Sequence, residues 1–88
     1  NKKYSGSLAT SGWVKQSDSL YYKQVTITGM TSSQYPIVMP VWTNNRTNEQ
    51  SAWNSLNAEV ESFDGYVRFY AKTPITTAVG FVLLFGNI

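Results

Sequence analysis

The chain has 88 residues, enough for one small domain, and it contains neither cysteine nor histidine. Disulfide bonds and the usual zinc sites are therefore excluded, and we expect no metal and no cofactor. Charged residues are only 14% of the chain, the net charge is +2, and the lysines and arginines are scattered, which argues against nucleic acid as a partner.

Residues 1–11 are polar and rich in Ser, Gly and Thr, and we predict that they form an N-terminal tail or linker. Residues 12–88 are predicted to form a single domain. No run reaches the roughly 18 apolar residues that a membrane span requires, so membrane insertion is not expected. Because the sequence begins at Asn1 without a methionine, we expect it to be a fragment of a longer protein.

Three strands are predicted in the first half of the domain. Gly12–Gln16 is a short first strand, and Leu20–Thr28 alternates between apolar and polar residues until Gly29. Ile37–Thr43 is also extended. Pro40 cannot donate a backbone hydrogen bond, so this third strand is predicted to lie at a sheet edge or to bulge.

One short helix is predicted at Glu49–Leu56, where apolar residues recur at helical spacing. Thr47 and Gln50 have the spacing of a capping box, with Thr47 as the N-cap. A helix of about two turns is not stable alone, so we expect it to dock on the core through Trp53.

A hairpin is the clearest local element. Asp64 and Gly65 separate two β-like runs, Ala58–Phe63 and Tyr66–Lys72, and Asp-Gly is a strong hairpin signal. In the second run, alternation predicts one face with Val67, Phe69 and Ala71 and another with Tyr66, Arg68, Tyr70 and Lys72.

The last strand, Ala78–Phe85, is apolar on both faces. Either it is central and covered by other elements, or its second face is buried against another copy of the chain. In the latter case Val82 and Leu84 are the predicted oligomer interface. In sum, six or seven short strands and one helix predict an all-β fold, a small antiparallel β-sandwich of Greek-key or jelly-roll type.

Catalysis is not expected. A Ser-His-Asp relay is impossible without histidine, and no residue pattern singles out a Ser-Lys pair. Glu59 and Glu61 lie two apart on a predicted strand, so both project from one face, and glycoside hydrolysis needs two carboxylates that flank one bond. Acidic pairs on solvated faces are ordinary, however, and we expect this pair to face water. We therefore predict no catalytic residues.

Binding is favoured instead, because aromatic residues make up 15% of the chain. Trp42 on the predicted edge strand, beside Asn44, Asn45 and Arg46, has the composition of a sugar platform, although the same residues also suit an ordinary turn. Trp53 is expected in the core.

A second stripe of candidate ligand-binding residues is Tyr66, Arg68 and Tyr70. An Arg between two Tyr rings is equally well explained by cation–π packing without a ligand.

The order of these features resembles the C-terminal domains of bacteriophage tail fibre and baseplate proteins. The resemblance rests on Gly12-Trp13, on YYKQVTITGMTSSQYPIV (Tyr21–Val38), on Glu49–Trp53 and on DGYVRFYAKTPITTAVGFVLLF (Asp64–Phe85). It implies a β-sandwich at the distal end of a tail appendage, commonly a homotrimer, located in the virion outside the host cell.

The same resemblance implies adhesion to host-surface polysaccharide or structural capping of a fibre. Our leading hypothesis is a non-enzymatic receptor-binding domain that recognises saccharide. A purely structural fibre-end or baseplate module, and a carbohydrate-binding module of a cell-wall enzyme, remain alternatives.

Overall fold

The computed structural model describes residues 2–43 and 45–86, except for the side chains of residues 57–59. The elements in this part of the chain are β1 (Lys2–Leu8), β2 (Val14–Ser17), β3 (Leu20–Thr26), β4 (Ile37–Val41), α1 (Arg46–Asn54), β5 (Leu56–Phe63), β6 (Tyr66–Ala71) and β7 (Val79–Phe85). The strands form two antiparallel sheets, sheet A in the order β1-β7-β4 and sheet B in the order β2-β3-β6-β5. The protein is an all-β sandwich with one short helix, as the sequence predicts. In the described part of the chain, no helix is long and apolar enough to cross a membrane.

The core lies between the inner faces of β6 and β7. Every second residue of these strands is buried, because side chains alternate across a pleated strand. The rings of Phe69 from sheet B and Phe81 from sheet A meet with their centroids 5.0 Å apart. Gly6 pairs with Phe81, and a Cβ atom at Gly6 would lie 3.1 Å from its ring, so the absence of a side chain there lets the ring lie against β1.

The prediction of an N-terminal tail or linker at residues 1–11 is wrong. Residues 2–8 form β1, which pairs along its whole length with β7 from Lys2–Phe85 to Leu8–Val79. Leu8 is fully buried in the core. The outward residues of this strand are exposed at a sheet edge, where Ser and Lys are well tolerated. Its composition is therefore polar, which is why the sequence pattern did not indicate a strand. The following strand, predicted at Gly12–Gln16, begins later, at Val14.

The strand β4 lies at the edge of sheet A, as Pro40 predicts, and β7 lies between β1 and β4. Of the two alternatives for the last strand, the structure shows a central strand whose inner face is covered by sheet B. On its outer face, however, Val82 and Leu84 are only half-buried, and their neighbours Ile37 and Met39 on β4 are exposed.

The helix starts earlier than predicted, at Arg46, and Asn45 rather than Thr47 is its N-cap. The carboxylate of buried Glu49 accepts hydrogen bonds from the backbone N–H of Thr43 at 2.8 Å and from its hydroxyl at 2.6 Å. These bonds tie the chain before the helix to its first turns. Trp53 packs against the core, as predicted.

Candidate functional site

The outer face of sheet B carries the stripe Tyr66, Arg68 and Tyr70. These side chains point away from the core because the intervening residues of β6, Val67 and Phe69, are buried in it. The predicted division of the strand into two faces is confirmed.

Arg68 lies at the centre of an aromatic cluster. Its guanidinium carbon is 4.2 Å from the ring centroid of Tyr22, 5.0 Å from that of Phe63 and 5.6 Å from that of Tyr66. Its Nε also donates a hydrogen bond of 3.3 Å to the side chain of Gln24. These are the contacts that cation–π packing predicts, and they account for this residue without a ligand. A role of Arg68 in binding stays a prediction.

Tyr70 is engaged differently, because its hydroxyl donates a hydrogen bond to Oε1 of Glu61 on the neighbouring strand β5. Burial raises the pKa of the Tyr70 phenol above its ordinary value of 10.0, and the Glu61 carboxylate raises it further, whereas Arg68 acts in the opposite direction. The phenol is protonated at neutral pH, as an ordinary tyrosine is, and donates its hydrogen bond to the carboxylate.

Beside this pair the surface opens into a groove of about 700 Å³. Residues from β2, β3, β5, β6 and the connection between β3 and β4 line it: Gln16, Leu20, Ser32, Gln34, Tyr35, Pro36, Val60, Glu61, Ser62 and Tyr70. The volume lies within the range of small-molecule sites in proteins, and the lining mixes apolar surface with a few polar groups.

The hairpin turn holds one wall of the groove in place. Gly65, with a φ of 92°, donates its N–H to the carbonyl of Met30 at 2.9 Å, and the Asp64 carboxylate accepts the N–H of Ser32 at 3.0 Å. Ser62 Oγ donates a hydrogen bond of 2.7 Å to the carbonyl of Gln34. The β3–β4 connection is thus tied to the β5–β6 hairpin on both sides of Ser33.

Tyr35 at the rim of the groove is the most exposed large hydrophobic side chain described, at 90%. A flat, accessible ring is suited to stack on the apolar face of a sugar, while nearby carboxylate, amide and hydroxyl groups exchange hydrogen bonds with sugar hydroxyls. The sequence analysis placed Tyr35 in a polar loop and gave it no role. The feature of the sequence that could have indicated this residue is its position as a bulky aromatic residue directly before Pro36 in an otherwise polar segment.

The predicted platform around Trp42 is separate from this groove. Trp42 follows β4 at the opposite end from Pro36, so about 20 Å of extended chain separates the two residues. The Trp42 ring is half-buried against the core, which leaves less of it free than an exposed platform would have. Arg46 lies over this ring at 5.8 Å, Asn45 is the helix N-cap, and Asn44 lies outside the described residues.

The acidic pair is described only in part. Glu61 lines the groove and is bonded to Tyr70, whereas the side chain of Glu59 lies outside the described residues. Among the side chains that the structure describes, no three His, Cys, Asp or Glu residues are grouped as metal ligands.

Fold and site together define a small β-sandwich with an open, aromatic-rimmed groove at the junction of its hairpin and its β3–β4 connection. No protein-family model, curated protein or solved structure matches this chain.

Proposed function

We propose that this protein is a non-enzymatic adhesion domain of a bacteriophage tail fibre or baseplate that binds host-surface saccharide in the groove between Tyr35 and Tyr70. The phage assignment is supported by the order of strand and turn motifs that resembles such domains, and by the sandwich architecture that they imply. The saccharide assignment is supported by the groove itself.

The observation that carries the saccharide proposal is the exposed Tyr35 ring beside an oriented carboxylate. The Tyr35 ring is 90% exposed and lines the same groove as the Glu61–Tyr70 pair and Gln34. Stacking on a sugar face and hydrogen bonding to its hydroxyls need this combination of groups.

Affinity for one saccharide unit is expected to be weak, because the groove is open and shallow recognition buries little area. Several copies of the domain on one appendage would compensate for this weak affinity by binding a repeating polysaccharide at several points. Linked binding events raise avidity without new contacts.

The test is a binding titration of the purified domain with envelope polysaccharides and their oligosaccharides, read by calorimetry and by glycan array. Tyr35→Ala is expected to reduce the affinity about tenfold, the equivalent of one lost stacking contact of roughly 1.4 kcal/mol. Because Tyr35 is almost fully exposed, this change leaves the fold intact, which circular dichroism checks.

Arg46→Ala is the matched comparison, because it removes an exposed residue from the Trp42 platform and leaves the groove untouched. Loss of binding in Arg46→Ala but not in Tyr35→Ala would transfer the proposal to that platform. Absence of binding to every saccharide tested would refute the adhesion proposal and favour a purely structural module.

A further inference from the structure

The groove beside Tyr70 carries a negative charge and no positive charge among its described lining residues. Glu61 is the single charged residue of that lining. Its side chain is exposed, and its Oε1 accepts the hydrogen bond from the Tyr70 hydroxyl. A carboxylate has about four acceptor positions on its two oxygens, so the bond from Tyr70 leaves most of them for a ligand.

Arg68 does not neutralise this carboxylate by direct contact. Arg68 and Glu61 lie opposite each other on the paired strands β6 and β5, yet these two described side chains form no salt bridge. The guanidinium turns instead towards β3, where it stacks on Tyr22 and bonds to Gln24. Arg68 is also not among the groove-lining residues. A molecule in the groove therefore meets the carboxylate and not the guanidinium.

The lysines of sheet B do not supply a positive charge to the groove either. Lys15 on β2 forms a salt bridge of 3.8 Å with Asp18, and Lys23 on β3 donates a hydrogen bond of 3.0 Å to the carbonyl of Ser11. Lys72 lies one residue past the end of β6 and does not line the groove. The described groove is thus negatively charged, although the net charge of the chain is +2.

The wall formed by the β3–β4 connection offers a neutral hydrogen-bond donor. The side-chain oxygen of Gln34 accepts the backbone N–H of Thr31 at 3.2 Å, so the NH₂ group of this amide is the part left to donate. The same wall carries the exposed ring of Tyr35. An amide donor suits a sugar hydroxyl or an N-acetyl carbonyl, but it lacks the charge that would hold an acidic sugar against Glu61.

We propose that the groove selects saccharides by charge: it binds amino-bearing units best, with the protonated amine beside Glu61, then neutral units, and it disfavours acidic units. This preference rests on the saccharide-binding function proposed above and names the class of sugar. A carboxylate attracts an ammonium group and repels another carboxylate. Because Glu61 is exposed, each effect is expected to change the affinity about two- to fivefold, as an exposed ion pair does.

The test compares three tetrasaccharides with the same β-1,4-linked backbone, made of glucosamine, glucose or glucuronic acid, at about pH 6. Titrations of the isotope-labelled protein are followed by NMR, and the amide signals of Gln34, Tyr35 and Ser62 report binding in the groove. The dissociation constant should rise about two- to fivefold from glucosamine to glucose, and again from glucose to glucuronic acid. Raising the salt concentration from about 0.05 to 0.5 M should reduce both differences, because salt screens exposed charges.

Glu61→Gln removes the charge but keeps an oxygen that can accept the bond from Tyr70. In this variant the three tetrasaccharides should bind with nearly equal affinity. Asp18→Asn is the matched control, because it removes the same charge from a fully exposed residue that does not line the groove, and it should keep the original order. Loss of the order in both variants would assign the preference to overall charge and overturn the inference.

Equal affinity for the three tetrasaccharides, tighter binding of the glucuronic acid form, or binding of none of them would also overturn it. The titration with envelope polysaccharides keeps the two proposals apart. If those polysaccharides bind and any of these results is obtained, the saccharide proposal stands and the charge preference alone fails. If no saccharide binds at all, both proposals fail.

Discussion

Leu83 and Leu84 are neighbours on β7 with the same side chain, and the structure gives them opposite environments. Leu83 points into the core and is fully buried, whereas Leu84 lies half-buried on the outer face. Leu83→Ala therefore removes buried methyl groups and leaves a cavity, which costs about 3–5 kcal/mol of unfolding free energy. Leu84→Ala loses only part of the transfer free energy of about 1.5–3 kcal/mol for a buried Leu side chain, and it leaves no enclosed cavity. We therefore expect it to lower the free energy of unfolding by about 1 kcal/mol.

The difference is large compared with the total stability. For a chain of 88 residues the free energy of unfolding is of the order of 4–13 kcal/mol. One kcal/mol shifts the melting temperature of a domain this small by about 4–8 °C, so Leu83→Ala should lower it by at least about 12 °C and Leu84→Ala by about a third of that.

The assay is urea unfolding followed by tryptophan fluorescence at low micromolar protein concentration. Loss of cooperative unfolding in Leu83→Ala, with a folded Leu84→Ala, also agrees with the structure. Equal losses for the two substitutions would refute the assignment of inner and outer faces of β7.

Three further predictions concern the site and its supports. The raised pKa of Tyr70 means that its neutral form stabilises the fold below the ordinary pKa of 10.0 and that this contribution is lost as the pH rises through the folded pKa. Glu61→Gln should move that pKa partway back, measured by ultraviolet titration with Tyr70→Phe to identify the phenol, and an unchanged titration would exclude the carboxylate as a cause. Glu49→Gln should cost about 1–2 kcal/mol in urea unfolding, because the two hydrogen bonds that Thr43 makes to a charged carboxylate become bonds to a neutral amide, and an unchanged stability would contradict the contribution of the charge to these bonds. Gly65→Ala should cost about 1–2 kcal/mol through its positive φ alone, since no atom lies within 4 Å of the new Cβ; Gly65→Asn should cost less, and equal losses would show that another cause dominates.

Local patterns in the sequence predicted the hairpin and the faces of its second strand well. Asp64-Gly65 needs a positive φ only at glycine, and alternation along β6 follows from the geometry of a strand, so neither depends on distant residues. The edge position of β4 was predictable for a similar reason, because Pro40 lacks a backbone donor wherever it stands.

Predictions failed where a distant partner decides the structure. The segment Lys2–Leu8 has little intrinsic strand signal and becomes β1 because β7 offers it a full ladder of partners. The helix begins at Arg46 and not after the predicted N-cap Thr47, and the side chain of Glu49 in its first turn accepts the backbone N–H of Thr43, a contact that the local sequence did not indicate.

The groove is likewise a product of tertiary structure. Tyr35 and Glu61 are far apart in the chain. Hydrogen bonds between the β3–β4 connection and the hairpin, among them those from the Ser32 N–H to Asp64 and from Ser62 Oγ to the Gln34 carbonyl, bring the two segments side by side. Tyr70 was named as a candidate from its strand alone, but its partner and its raised pKa depend on the neighbouring strand.

The order of apolar and polar residues along the chain was enough to determine an all-β sandwich and a last strand with two apolar faces, because side-chain alternation is a property of each strand by itself. Tertiary structure alone decided which strands lie beside β7, which of its faces meets sheet B, and which loop closes the groove. These outcomes depend on pairing between segments that are distant in sequence. The free energy of such pairing depends on the residues of both segments, so neither segment determines it alone.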